Sequence, residues 1–173
     1  GISIKVNAVI IRGMNHDQVL PLADYFRGTP HVLRFIEFMD VGNCNRWSSD
    51  AVYSAKEILA DVRIRHEVEP LDANYVGEVA RRYQYCDGAG EFGIVASVTQ
   101  PFCQDCNRAR LSADGQLFTC LFACASADLR EILRSGGNVS AFLEGVWQQR
   151  SDRYSELRGE AISQKVEMSY IGG

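Results

Sequence analysis

The sequence predicts an α/β (α+β) chain, in which a strand–helix–strand unit of parallel sheet precedes a small β-hairpin and helix domain built around cysteines. Three observations carry this. Two β-branched apolar runs, Ser3 to Arg12 and His31 to Asp40, bracket a helical stretch at the spacing of a right-handed βα unit. Cys103, Cys106, Cys120 and Cys124 form C-x2-C-x13-C-x3-C, and the thirteen residues read as a hairpin that returns the third sulfur to the first two. A composition of 46% hydrophobic and 23% charged residues over 173 residues suits one or two small soluble domains with a buried core.

Charge and cysteine usage exclude several classes. A net charge of −4 is not that of a nucleic-acid binder, so an anionic ligand has to be met by local arginines. No apolar run approaches the ~18 residues of a membrane helix. Six cysteines without a charged-then-apolar leader point to a reducing compartment, the cytoplasm or a mitochondrial matrix. Residue 1 is Gly and a strand pattern begins at once, so the chain is expected to be cut from a longer one.

Taken in order, Ser3 to Arg12 is expected to be a strand buried on both faces. Asn15 is expected to cap a helix from His16 to Arg27, with Pro21 in its first turn or at a kink and Gly28-Thr29-Pro30 at its end. The strand His31 to Asp40 leads into a polar loop, Val41 to Asp50. Ser54 and Glu57 form a capping box that opens a helix to about His66. Glu67 to Asn74 has a linker's composition and marks a domain boundary. Val76 to Tyr85 and Phe92 to Thr99 read as strands; the intervening Gly88-Ala-Gly90-Glu-Phe-Gly93 matches G-x-G-x-x-G but runs on into a strand, so it reads as a hairpin loop. Beyond the cysteines, a short helix spans Ala127 to Arg134, closed by Gly136-Gly137, and a second spans Val139 to Arg150 with Phe142, Val146 and Trp147 as its buried stripe. Ser151 to Arg158 reads as solvated, and the tail from Gln164 alternates like an edge strand before ending in Gly172-Gly173.

The chemistry concentrates at residues 103–124. Arg108 to Ser112 and Gln116 to Phe122 flank Asp114-Gly115, a turn dipeptide that supplies positive φ. The sulfurs at the root of such a hairpin fit a closed four-thiolate zinc site, three corners of a 4Fe–4S cluster with one iron open, or reduced structural cysteine. Arg108 and Arg110, two apart on a strand, project on one face beside the sulfurs, where guanidinium groups fork around phosphate or carboxylate; solvated arginine or ion pairing fits the same residues. Cys44, Cys86, His16, His31 and His66 share no ligand spacing.

The run SVTQPFCQDCNRARLSADGQLFTCLFA, with RFIEFMDVGN before it and MSYIGG at the end, resembles the carboxy-terminal half of the GTP 3′,8-cyclases, radical S-adenosylmethionine enzymes of molybdenum-cofactor biosynthesis. The resemblance covers essentially the whole chain. It implies that residues 1–66 are the last strands of an incomplete TIM-like (βα) barrel and that residues 67–173 form an Fe–S and GTP-binding domain. It also implies that Cys103, Cys106 and Cys120 hold a second 4Fe–4S cluster whose open iron takes the guanine base. Lys5, Asn7, Arg108, Arg110, Gly172 and Gly173 would bind GTP, and Arg34 and Met39 would contact S-adenosylmethionine. Arg108 and Arg110 would be catalytic, gripping the triphosphate or stabilising the aminyl radical formed on ring closure. As bare sequence, Lys5 also fits a snorkelling edge lysine, Asn7 a hydrogen-bonded strand residue, Arg34 an ion-pair partner of Glu37, and Met39 core filler.

The family's radical-generating C-x3-C-x2-C has no match here, so the first 4Fe–4S cluster would belong to a missing amino-terminal half, and this chain alone would be inactive. In the complete enzyme a deoxyadenosyl radical takes hydrogen from C3′ of GTP and the C3′ radical attacks C8, giving 3′,8-cyclo-7,8-dihydro-GTP. Cys124 lies outside the three-ligand pattern. The opposing readings are a non-catalytic zinc module held by all four cysteines, with an anion patch, and a related radical enzyme acting on a peptide. A barrel without its first strands exposes an edge and a core face, so self-association, as in a homodimer, is expected.

Overall fold

The structure is a computed structural model that describes residues 2, 4–158 and 165–171. The chain divides into two compact units, Gly1–Met39 with Trp47–Cys106, and Asp40–Arg46 with Asn107–Gly173. Among the described residues no helix is long and apolar enough to cross a membrane.

The first unit is a mixed sheet with helices on one face. Its elements are β1 (Lys5–Ile10), α1 (Val19–Phe26), β2 (Val32–Glu37), α2 (Ala55–Arg63), β3 (Val68–Leu71), β4 (Arg81–Tyr85) and β5 (Glu91–Val95). The strands lie in the order β1-β2-β5-β4-β3, with β1, β2 and β5 parallel and β4 and β3 antiparallel to their neighbours. Strand alternation sends Ile10, Leu33, Phe35, Phe92 and Ile94 into a core completed by Val19 and Ala23 of α1 and Ile58 and Val62 of α2. The other face is mixed, with Lys5, Asn7 and Arg34 beside Val9, Ile36 and Val95.

β1 is an edge strand, which corrects the expectation of burial on both faces. Its residues alternate in exposure, and Val9 remains 43% exposed because the core packs on one side only. α1 begins at Val19 after a 3₁₀ turn over His16–Gln18, so Pro21 falls in the first turn, where its missing N–H is harmless. Asn15 makes no side-chain cap; its Oδ1 accepts from Ile11 N–H at 2.7 Å and its amide donates to Val9 O at 2.9 Å. The Ser54–Glu57 capping box is present as expected, and both carboxylate oxygens of Glu57 also accept from Arg12 at 2.8 Å, tying the end of β1 to α2. Where a linker was expected, Val68–Leu71 pairs with β4 as an edge strand, a position that tolerates Pro70. Gly88 and Gly90, at φ +79° and +98°, form the antiparallel β4–β5 hairpin loop, which runs into strand and not helix.

The second unit holds a small antiparallel sheet, β6 (Arg110–Leu111), β7 (Gln116–Phe118) and β8 (Ala127–Asp128), followed by α3 (Leu129–Arg134) and α4 (Val139–Gln148). The hairpin is as expected, with shorter strands, and Gly115 takes φ +87° at its tip. Asp128 and Asn138 cap the two helices through Glu131 N–H and Ala141 N–H.

Two expectations fail in this unit. α4 has no buried residue: Phe142 and Val146 are half-buried, and Trp147 is 40% exposed beneath the Arg150 guanidinium at 4.8 Å. Residues 151–158 are not solvated throughout, since Tyr154 stacks on Phe122 at 4.4 Å and Arg158 ion-pairs with Asp40. In the tail, residues 165–171 form no strand; Ile171 is 2% exposed and the Tyr170 hydroxyl donates to Asp114 at 2.7 Å. Gln164, Gly172 and Gly173 lie outside the described residues.

A candidate thiol and arginine site

The cysteine segment follows β5. Cys106 N–H donates to Cys103 O at 3.3 Å, closing a tight turn that leaves both side chains half-buried. Cys120 follows β7, where its sulfur accepts Phe122 N–H at 3.4 Å, a kind of contact that also tunes the sulfurs of cluster sites. Cys124 is exposed. All six cysteines are thiols outside disulfides, so the donor chemistry suits a thiolate-bound metal. Cys103 and Cys106 belong to the first unit and Cys120 to the second. Among the described residues no three or more His, Cys, Asp or Glu side chains are gathered in a metal-holding group.

Arg110 opens β6 opposite Phe118 and is half-buried, whereas Arg108 precedes the strand and is exposed. Burial, and then the nearby charge of Arg108, push the Arg110 pKa down. Two cations crowded at a partly desolvated spot are relieved by an anion.

The sheet face away from α1 and α2 holds the next group. Asn7, Arg34, Gly93 and Arg82 stand in one row across β1, β2, β5 and β4. Arg34 Nε donates to Asn7 Oδ1 at 2.8 Å, so Asn7 is a hydrogen-bonded strand residue that orients the guanidinium. Gly93 gives Arg34 room: a Cβ there would meet Arg34 Cγ at 3.4 Å and Ala80 Cβ at 3.1 Å. Lys5 is exposed two residues before Asn7 on β1. Arg34 does not pair with Glu37, because that carboxylate lies buried among other donors. Met39 is half-buried, two residues past β2.

Sequence reading missed two buried carboxylates. Glu37 is 0% exposed, and it takes the N–H groups of Ala55, Val98 and Thr99. Asp40, 6% exposed, accepts from the Tyr154 hydroxyl, Arg158 and Lys165, the last at 2.9 Å. Burial opposes its charge, but these donors outweigh it and hold the carboxyl below the usual range. Nearby, Glu167 accepts Asn43 N–H at 2.8 Å and packs so closely on Gly42 that a Cβ there would overlap Glu167 Oε2. Glu37, an acid inside the apolar FIEF, signals burial without naming its partners, and Asp40, at the end of the run, carries no such signal.

The chain as a whole has relatives. The sequence model of the Molybdenum Cofactor Synthesis C family matches residues 31–156. A GTP 3′,8-cyclase from Xanthomonas axonopodis pv. citri (strain 306) is 53% identical over 173 residues, covering 98% of this chain and 52% of the relative. The GTP 3′,8-cyclase of Acidothermus cellulolyticus is 47% identical over 200 residues, with 98% and 55% covered, and that of Synechococcus sp. (strain WH7803) is 49% identical over 172 residues, with 98% and 49% covered. The chain therefore spans about half the length of the curated relatives it matches. With a match running over most of its length, the chain belongs to the Molybdenum Cofactor Synthesis C family.

Proposed function

We propose that this chain is the substrate end of a GTP 3′,8-cyclase, the radical S-adenosylmethionine lyase that converts GTP to 3′,8-cyclo-7,8-dihydro-GTP in molybdenum-cofactor biosynthesis. The observation that carries the proposal is 53% identity to the Xanthomonas axonopodis GTP 3′,8-cyclase over 98% of the chain. On this reading residues 1–66 are the end of an incomplete TIM-like barrel, and residues 67–173 carry the cluster and GTP functions. The reduced state of the cysteines suits a cytoplasmic or similar reducing setting. The exposed edge at β1 suits an amino-terminal radical S-adenosylmethionine half, or a second copy.

Cys103, Cys106 and Cys120 would hold a 4Fe–4S cluster, a group that their thiolate chemistry suits. When bound, it supplies a coordination position for the guanine base, while a first cluster with S-adenosylmethionine on the amino-terminal half supplies the radical. Arg108 and Arg110 grip the triphosphate or stabilise the aminyl radical formed on ring closure; burial, and then the charge of Arg108, lower the Arg110 pKa, and an anion beside them offsets both. Lys5 and Asn7 reach GTP from the sheet face away from the helices. Asn7 also orients Arg34, which with Met39 contacts S-adenosylmethionine. Gly172 and Gly173 bring side-chain-free backbone to the nucleotide.

The test is a full-length chimera in which this chain replaces the matching half of the Xanthomonas relative. It is expected to cyclise GTP, and Arg110→Ala is expected to abolish product while iron content is retained. A chimera that carries its full iron and still leaves GTP unchanged contradicts the proposal.

A further inference from the structure

We propose that Glu37 is a positioning residue for the Cys103–Cys106 turn, a role that rests on the reading of that turn as a cofactor-holding site. Glu37 ends β2 and is 0% exposed. Its Oε2 accepts Val98 N–H at 2.8 Å and Thr99 N–H at 2.9 Å, and its Oε1 accepts Ala55 N–H at 2.8 Å and Thr99 Oγ1 at 2.5 Å. Four donors are what a carboxylate needs to stay buried, and burial without them would be strongly unfavourable. An apolar residue of similar volume avoids that requirement altogether, so the charge matters for what it ties together.

What it ties together is specific. Val98 and Thr99 are consecutive amides at the point where the chain leaves β5 for the cysteine turn. Between Thr99 and Cys103 stand Gln100, Pro101 and Phe102. Gln100 N–H is bonded to Ala96 O at 3.0 Å, the Pro101 ring fixes its own φ, and Cys106 N–H returns to Cys103 O at 3.3 Å. Gln100 is restricted by the proline that follows it, which leaves the Pro101 ψ and the torsions of Phe102 and Cys103 as the main freedom between the pinned amides and the sulfurs. The remaining donor, Ala55, is the first residue of α2, so the carboxylate also sits where a helix amino terminus favours negative charge. One buried group thus sets the strand end, the helix start and the stalk of the cysteine turn in a single register. It acts through Cys103 and Cys106 and touches no substrate.

The experiment is residue-resolved alkylation by iodoacetamide, read by mass spectrometry, on the reduced, iron-free 173-residue chain. Glu37→Gln keeps the shape and removes the charge. Alkylation of Cys103 and Cys106 is expected to rise roughly ten-fold, the effect of losing a hydrogen bond to a charged acceptor. Cys86, at the β4–β5 hairpin and so at the opposite end of β5 from the pinned stalk, is expected to stay within about two-fold. Thr99→Val deletes only the hydroxyl donor; a roughly three-fold rise at the same two cysteines is expected, and this variant keeps the test decisive if Glu37→Gln does not fold. Unchanged Cys103 and Cys106 in the folded variants, or Cys86 rising together with them, overturns the proposal. Iron uptake by the wild-type chain is measured alongside. Absent uptake with a selective rise in alkylation refutes the cofactor reading and supports the positioning, whereas normal uptake with unchanged alkylation overturns the positioning alone.

Discussion

Replacing Asp40 with Asn removes the negative charge that organises the second unit. Asp40 is 6% exposed and faces Arg158, the Tyr154 hydroxyl and Lys165, whose cationic side chains are 12% and 14% exposed. Removing one member of a buried ion pair costs about 3–5 kcal/mol, and the low end applies because an amide still accepts hydrogen bonds and the cations are not wholly desolvated. About 3 kcal/mol corresponds to a fall in Tm of roughly 6–12 °C for a chain of this size. The pH dependence has a definite sign. The folded carboxyl titrates below its unfolded value, so its contribution is complete above about pH 4 and is lost as pH falls through the folded pKa. Thermal unfolding followed by circular dichroism at pH 7, and in steps below pH 4.5, reads both effects. An Asn variant that melts within about 2 °C of the parent at pH 7 refutes the reasoning, as does a gap that fails to narrow on acidification.

Three further outcomes are expected. Ser54→Ala breaks the reciprocal capping box of α2 and costs about 1 kcal/mol by chemical denaturation. Gly93→Val drives side-chain atoms into Arg34 and Ala80, where even a Cβ is tight, so it costs about 1–3 kcal/mol and displaces Arg34 from Asn7, which a crystal structure of the variant reads directly. Tyr170→Phe removes one of the two side-chain hydrogen bonds that hold the Asp114 carboxyl low, the Ser112 hydroxyl contributing more; carboxyl titration by NMR is expected to show that pKa rising part of the way to normal.

Local signals were legible. The Ser54–Glu57 box, the Asp114-Gly115 hairpin and the glycine-rich β4–β5 loop each depend on residues within a few positions of one another, and all three appear in the structure. Misreadings came where a distant partner decides. Val68–Leu71 is polar enough to pass for linker until β4 supplies its ladder, and β1 is apolar enough to pass for buried although only one of its faces meets the core. The charges of residues 151–158 suggested solvent because their partner, Asp40, lies 114 and 118 residues away. Glu37 reads in sequence as a neighbour of Arg34 on the same strand, while its donors sit 18 to 62 residues onward. On the site, the sequence placed the thiols and arginines by motif, and the fold adds the sheet face on which Lys5, Asn7 and Arg34 fall together. Tertiary carboxylates leave no periodic trace, so neither Glu37 nor Asp40 was visible as an anchor.

The central claim is that Cys103, Cys106 and Cys120 hold a cluster with a position open to GTP. Its most direct test is anaerobic reconstitution with iron and sulfide, followed by absorption and EPR spectra with and without GTP, on this chain and on Cys124→Ser. The account predicts a reducible four-iron signal that GTP perturbs and that survives loss of Cys124. Zinc alone, or a cluster that requires Cys124 and ignores GTP, would contradict it.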